Sequence, residues 1–314
     1  MPLSLRRGRV SAITERHDEL VRLEVDGVAC VAYPSVTGPV ELDDEVLVNI
    51  QARELELGSG GFDVLYANLT RGLELPGEDG AHVMVLPYTP LQHARLYVEE
   101  SGELEADLGG LPVVCCSVHS QVAPVCAALG GLRVAYVQLA GGALPVSLSD
   151  TVRALRELGF VAGTAAVAPC FDGDVQCVSA ASALGWTRQE HDVAVCSIGP
   201  GIVGTGTRFG HGGLAAADAA NAALALGGVP VIALRASAAD ERPRHRGVSH
   251  HTDAVLSLVG GDAVVPQDGE GWREACEGLP LSHMGRGPDD DPEFFAAAYA
   301  AGVAAQRLAL TAAD

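Results

Sequence analysis

From Leu111 onward the chain alternates short apolar runs with alanine-rich stretches, and this alternation constrains the fold more than any other feature. The apolar runs are residues 112–116, 132–139, 160–168, 192–198 and 229–234. Alanine-rich helical stretches lie between them, as at 214–226. Strands that alternate with helices in this way are typical of a parallel sheet with crossover helices. The pattern predicts a doubly wound, mostly parallel Rossmann-like sheet with flanking helices over residues 109–314.

The first 108 residues have a different pattern, in which apolar and polar residues alternate in short runs without a helical period. Residues 21–25 and 28–32 flank Asp26-Gly27, a pair that suits a two-residue hairpin turn. Further runs at 46–49, 62–66 and 82–86 continue the pattern. These features predict a small β-barrel-like domain over residues 1–108.

Charge and composition exclude several classes of function. The chain has 314 residues and a formal net charge of −20, and all 20 basic residues are Arg. Without Lys, the chain cannot form a pyridoxal-phosphate Schiff base, so that cofactor is excluded and any other stays unknown. The predicted β-barrel is acidic too, which argues against a nucleic-acid partner. The sequence shows no membrane span and no signal peptide, so we expect a cytoplasmic protein.

The cysteines give no sign of a zinc site. Eight are present, none in a C-x-x-C pair, and most lie in apolar runs. We expect buried, reduced thiols.

The five predicted strands each end in a distinctive loop. These loops are 117–120, 141–142, 172–174, 199–208 and 235–253. Because the carboxyl ends of parallel strands share one edge of a sheet, we expect the five loops to approach one another and to form the functional site there.

The fourth loop is rich in glycine and threonine. Its candidate ligand-binding residues are Gly199, Gly201, Gly204, Thr205, Gly206 and Thr207. The spacing formally contains G-x-G-x-x-G, but Pro200 has no N–H and no helix follows at once, so a dinucleotide site is disfavoured. A loop whose backbone N–H groups hold an anion is the more general interpretation. A tight turn that needs glycine for its dihedral angles is the structural alternative.

Residues 240–253 hold three His, three Arg and three acids. Ser249 can cap a following helix and place His250 and His251 in its first turn, where the helix dipole favours neutral imidazoles. His245, His250 and His251 are therefore candidate proton carriers. Asp240 and Asp253 could join the histidines around a metal, but the spacing matches no known metal motif. Adjacent helical positions also point about 100° apart, so we assign no metal ligands.

The arginines of the same segment support a different interpretation. Arg244 and Arg246 would hold a phosphate or carboxylate next to the helix N-terminus. The alternative is a loop of ion pairs at a subunit contact.

His119 precedes Ser120 directly after the first strand of the predicted sheet. His119 is kept as a candidate ligand-binding residue, while Ser120 can cap the following helix. There is no nucleophile elbow, so the pair does not indicate a serine nucleophile. Ser147, three residues before Asp150, resembles a capping box for the next helix.

Several stretches resemble a family of bacterial proteins described as domain of unknown function 3866. The similar pieces are 88–92, 119–120, 141–145, 199–207, 225–228 and 244–251, and they span nearly the whole chain. The resemblance implies no catalytic roles, because the family carries no assigned activity.

Taken together, these features favour an enzyme that acts on a small anionic, phosphorylated metabolite at the carboxyl edge of the sheet. A protein that senses a ligand, or serves as a scaffold, without turnover is the alternative. The final helix, predicted at 291–310, is apolar around much of its circumference. This pattern predicts a homodimer or a higher homo-oligomer.

Overall fold

The computed structural model describes residues 3–56, 61–71, 75, 77–102 and 104–312. Its chain divides into two compact units, Met1–Arg95 and Leu96–Asp314. Residues 96–108, assigned to the first domain from the sequence, lie in the second unit. There the Leu108 amide donates to the Leu226 carbonyl at 2.8 Å.

The first unit contains a closed five-stranded barrel, as predicted. Its strands are β1 (Leu5–Arg16), β2 (Val21–Val25), β3 (Val28–Ala32), β4 (Glu45–Asn49) and β5 (Asp63–Asn68), with α1 (Pro34–Thr37) and α2 (Gln51–Glu54) between them. The barrel order is β1-β2-β3-β5-β4. Asp26 and Gly27 join β2 to β3 with φ angles of 50° and 77°, which confirms the hairpin turn. Strand β6 (Val83–Val85) pairs outside the barrel with β7 (His93–Arg95).

The second unit is built on a six-stranded sheet. Its strands are β8 (Pro112–Cys116), β9 (Val134–Leu139), β10 (Gly163–Val167), β11 (Val175–Cys177), β12 (Val193–Ile198) and β13 (Val229–Ala233). Their order is β11-β10-β9-β12-β8-β13, and every pairing is parallel. The predicted parallel α/β fold is therefore confirmed.

Helices cover both faces of this sheet because its strands are apolar on both sides. The helices and short strands of the unit are α3 (Val122–Ala127), α4 (Asp150–Glu157), α5 (Ala180–Glu190), α6 (Ala215–Ala225), β14 (Ala236–Ser237), β15 (Gly247–Val248), α7 (His250–Leu256), α8 (Trp272–Ala275) and α9 (Pro292–Ala312). Helices α5, α6 and α7 pack on one face. Helices α3, α4 and α9 pack on the other. Five alanines of α6 are buried against the strands, which lets this helix lie close to them: Ala216, Ala217, Ala219, Ala220 and Ala223.

Three local predictions need correction. The N-cap of α4 is Ser149, whose hydroxyl accepts from the Val152 amide, whereas Ser147 donates to Asp172. Ser120 caps no helix, because a 3-10 turn at His119–Gln121 comes before α3. Strand β11 was missed, since three residues directly after an acidic loop are too few to give a periodic pattern.

Helix α9 finds its apolar partners within its own unit. Phe294 and Phe295 are fully buried, with Trp272 stacked on Phe295 and His283 stacked on Phe294. Ala298, Ala301 and Ala305 pack against the sheet and α3. These residues of α9 therefore pack within its own unit, and homo-oligomerisation stays a prediction.

All eight cysteines are buried and free, as expected. No helix in the described part of the chain is both long and apolar enough to cross a membrane.

Candidate site at the carboxyl edge of the sheet

Glycines bring the loops after β8, β9 and β12 into direct contact. The backbone of Gly141 lies against Gly212, and the backbone of Gly142 lies against Gly199. They are so close that a Cβ on any of these glycines would overlap the backbone of the neighbouring loop. A Cβ on Gly213 would lie 2.6 Å from the carbonyl oxygen of Ser117. Glycine is required at these positions because the backbones approach each other without side chains between them.

The loop after β13 joins this group through a histidine that the sequence analysis overlooked. The ring of His211, at the end of the glycine-rich loop, stacks on His251 with centroids 3.6 Å apart. A Cβ on Gly206 would lie 4.0 Å from the guanidinium carbon of Arg244. The fourth and fifth loops are thus side by side.

The acidic loop after β10 contacts a different part of the edge. The Ser147 hydroxyl donates to Asp172 at 2.9 Å, and the Val146 amide donates to the Phe171 carbonyl. These bonds tie the acidic loop to the segment after β9.

Four histidines form the histidine cluster, defined here as His211, His245, His250 and His251. Centroids of the His245, His250 and His251 rings lie 4.5–4.9 Å apart. Ser249 caps α7 as predicted, since its hydroxyl oxygen accepts from the His251 amide, and the same oxygen lies 2.7 Å from Nδ1 of His245. The cap therefore fixes both the start of α7 and the position of His245.

The imidazoles of the cluster are neutral at neutral pH. Burial, followed by the charges of Arg235 and Arg242, lowers the pKa of His245 to about 3. Burial, followed by His211 and Arg235, lowers the pKa of His251 to about 2. The pKa values of His211 and His250 are also lowered, mainly by burial, although the Arg208 carbonyl opposes the shift at His211. The expectation of neutral imidazoles rested on the helix dipole, but desolvation is the larger cause.

Arg235 is the charged residue at the centre of this site. It lies two residues after the end of β13, and its side chain is 3% exposed and donates from a guanidinium nitrogen to Nδ1 of His251 at 2.8 Å. Of the acids that the structure describes, none lies within 4.0 Å of this guanidinium. The nearby Asp240 pairs with Arg242 and Arg286 instead. Burial lowers the Arg235 pKa to about 10 while the charge of Asp240 opposes the shift, so the guanidinium stays positive with no carboxylate in direct contact.

The two acids considered as metal ligands are placed otherwise. Asp240 is buried and accepts from the Arg242 side chain at 2.7 and 2.9 Å, which holds its pKa well below the usual range. Asp253 is exposed on α7 and acts on His250 only through its charge. Asp240 thus serves an ion-pair network with Arg242 and Arg286.

The predicted anion-binding arginines lie at the surface. Arg244 and Arg246 are both exposed, and Arg244 is the closer of the two to the glycine-rich loop. Sequence reasoning favoured them because planar guanidinium groups next to a helix N-terminus suit a phosphate or carboxylate. It missed Arg235, although an arginine directly after an apolar run was a usable signal.

The glycine-rich loop closes on itself. Gly204 bridges to His211, and the Thr205 amide donates to the Gly210 carbonyl. The hydroxyls of Thr205 and Thr207 are 2.8 Å apart. Gly201 adopts the left-handed region with a φ of 73°, whereas Gly199, Gly204 and Gly206 do not. The loop is therefore a tight hairpin in which the threonine hydroxyls already have partners.

His119 links the segments at the ends of three strands, β8, β9 and β12. Its Nδ1 donates to the Ile198 carbonyl at 3.1 Å, and its Nε2 accepts from the Ser149 hydroxyl at 2.6 Å. Burial lowers its pKa to about 4. With both ring nitrogens engaged, His119 positions the loops after β8, β9 and β12.

Ser120 pairs with a histidine far away in sequence. Its hydroxyl lies 2.9 Å from Nδ1 of His283, which is 2% exposed and stacked on Phe294 at 3.7 Å. The charge of Arg235 helps burial to lower the His283 pKa to about 3. No pattern in the sequence links positions 163 residues apart.

These features define an α/β protein with a separate small β-barrel, and with a buried arginine and four histidines gathered at the carboxyl edge of its sheet. A family model described as "Protein of unknown function (DUF3866)" matches residues 29–270. This match covers more than half of the chain, so the protein belongs to that family, as the resemblance implied. No curated protein matches the chain.

Proposed function

We propose that this protein is an enzyme that binds a small anionic, phosphorylated metabolite at the carboxyl edge of its sheet, with Arg235 as the principal anion-binding residue. The observation that carries the proposal is the buried guanidinium without a carboxylate partner. An isolated buried charge is costly to maintain, and an anionic ligand would remove that cost.

The charges around Arg235 support the same ligand. Arg242 and Arg244 act on the histidine cluster together with Arg235, and all three lower the pKa of His250. These guanidinium charges favour an anion beside the cluster, although the chain as a whole carries a charge of −20. A planar guanidinium fork matches the oxygens of phosphate and carboxylate groups. Arg244 and Arg246, at the surface, would attract the ligand rather than hold it.

His211 is the residue to which we assign proton transfer. It is 6% exposed, and the Arg208 carbonyl, although near enough to the ring to raise its pKa, makes no hydrogen bond of normal geometry with either ring nitrogen. One nitrogen of a neutral imidazole can accept a proton while the other donates one. An anion on Arg235 would also raise the depressed histidine pKa values toward neutrality, where proton transfer is effective.

Thermal unfolding with and without phosphate, in the presence of a chelator, tests the anion site. A ligand at 100 times its dissociation constant adds about 2.7 kcal/mol to the stability of the folded state. Wild-type protein is expected to melt at a higher temperature with phosphate, and Arg235→Met is expected to lose most of that gain. Arg133→Met is the matched control, because Arg133 is an exposed arginine just before β9, at the opposite edge of the sheet.

The proposal fails if Arg235→Met keeps the full phosphate response. It also fails if saturating phosphate leaves the wild-type melting temperature unchanged. Arg244→Met separates attraction from binding. Removal of this exposed arginine should reduce the phosphate-induced rise in melting temperature only in part. That reduction should disappear at high ionic strength.

A further inference from the structure

The histidine cluster contains a set of nitrogens that fits a metal ion. His245, His250 and His251 each offer one ring nitrogen, and these three atoms all lie within 4.8 Å of one another. We propose that they bind one divalent transition metal, and that the metal and the anion on Arg235 bind cooperatively. The coupling rests on the anion site proposed above, whereas the metal site itself does not.

The geometry needs only a small adjustment. Three points within 4.8 Å of one another have a common centre no more than about 2.8 Å from each, and a Zn–N bond is about 2.0–2.1 Å long. Each nitrogen would therefore move inward by about 0.7 Å or less, which side-chain rotation can supply. The expectation that His250 and His251 point too far apart overlooked the reach of their side chains, whose ring centroids are 4.5 Å apart.

Unpartnered nitrogens are a second, independent sign of a ligand. Nε2 of His250 is buried and lacks a hydrogen-bond partner among the described residues, and neither ring nitrogen of the adjacent His211 makes a hydrogen bond of normal geometry. Buried polar atoms are seldom left without a partner, and those that are often mark an ion or ligand site. The Ser249 hydroxyl beside Nδ1 of His245 can accept that ring's proton, which leaves Nε2 free to bind the metal.

The type of donor determines the type of metal. The three donors are neutral imidazoles, with no carboxylate or thiolate in the group. Imidazole suits zinc, copper, nickel and cobalt, whereas magnesium and calcium prefer oxygen. Three protein ligands also leave a coordination position open for water or for an oxygen of the anionic ligand.

Arg235 opposes the metal until an anion arrives. It holds the lone pair of Nδ1 of His251 at 2.8 Å, and its positive charge repels a cation. An anion that draws the guanidinium away would release the His251 ring and offset the charge. Because coupling between two binding sites is reciprocal, the metal must raise the anion affinity by the same factor.

The test is a zinc titration of the chelator-treated full chain, followed by calorimetry, with cobalt absorption as a report on coordination. Sulfate serves as the anion probe, against sodium chloride at matched ionic strength. One equivalent of zinc is expected to bind with a dissociation constant below about 10 µM in sulfate, and at least about tenfold more weakly in chloride. Cobalt is expected to give the intense visible bands of a tetrahedral site.

Single variants assign the ligands. His245→Gln and His250→Gln are each expected to weaken zinc binding by at least about tenfold. Arg235→Met is expected to bind zinc more tightly than wild type in chloride and to lose the sulfate effect. His191→Gln is the matched control, because His191 is a buried histidine beside Trp186 and outside the cluster. Circular dichroism checks that each variant is folded.

The metal site is overturned if wild type binds no zinc in sulfate, or if His245→Gln and His250→Gln both bind zinc as wild type does. The wild-type measurements do not depend on any variant folding. Equal zinc affinity in sulfate and in chloride overturns the coupling. The phosphate response in chelator is measured without metal, so the anion site and the metal site can fail separately.

Discussion

Lowering the pH is expected to destabilise the second unit through His283. This side chain is 2% exposed, lies parallel to the ring of Phe294, and is 2.9 Å from the Ser120 hydroxyl. Burial, together with the charges of Arg235 and Arg286, lowers its pKa to about 3. In the unfolded chain a histidine titrates near 6.5.

The sign and size follow from proton linkage. The folded state favours the neutral ring, so stability is full above about pH 6.5 and falls as the pH decreases toward 3. Between pH 7.5 and 5.5 the unfolded state binds nearly one proton at this position and the folded state binds almost none. His283 alone should therefore lower the free energy of unfolding by about 1.4 kcal/mol over that interval.

Urea denaturation followed by tryptophan fluorescence measures this loss. Both tryptophans of the chain, Trp186 and Trp272, lie in the second unit, so their signal reports its unfolding. His283→Gln cannot titrate but can still bond to Ser120. The loss of stability from pH 7.5 to 5.5 should be smaller in this variant than in wild type by about 1.4 kcal/mol. If both proteins lose stability equally, His283 is not buried in its neutral form and the reasoning is refuted.

Two further predictions concern the backbone that builds the site. Gly212→Ala would push a methyl group into the carbonyl of Gly141 and is expected to cost about 1–3 kcal/mol or more, measured by thermal unfolding. Gly130→Ala, which meets no atom within 4 Å, should change stability by less than about 0.5 kcal/mol, and an equal effect of the two would contradict the packing described for these loops. Ser249→Ala is expected to lower the stability by about 1 kcal/mol through loss of the α7 cap. The loss should be larger than that, because His245 also loses a hydrogen-bond partner. An unchanged melting temperature for Ser249→Ala would show that the cap contributes nothing.

The local sequence determined the fold class. Apolar runs that are continuous rather than alternating require burial on both faces, and only a parallel sheet between two helical layers provides it. The Asp26-Gly27 turn and the Ser249 cap are equally local, because each depends on neighbouring residues, and both were predicted. The convergence of the loops after β8, β9, β12 and β13 followed from chain order alone.

The membership of the site was decided by tertiary structure. The sequence pointed to His245, His250 and His251 because they cluster along the chain. It could not show that Arg235 lies buried without an acid or that His211 stacks on His251, since both depend on how two loops pack. Burial, and with it the depressed histidine pKa values and the unpaired charge, exists only once the loops are folded together. For the same reason the sequence could not show that Arg244 and Arg246, which belong to the same loop as the buried Arg235, are exposed.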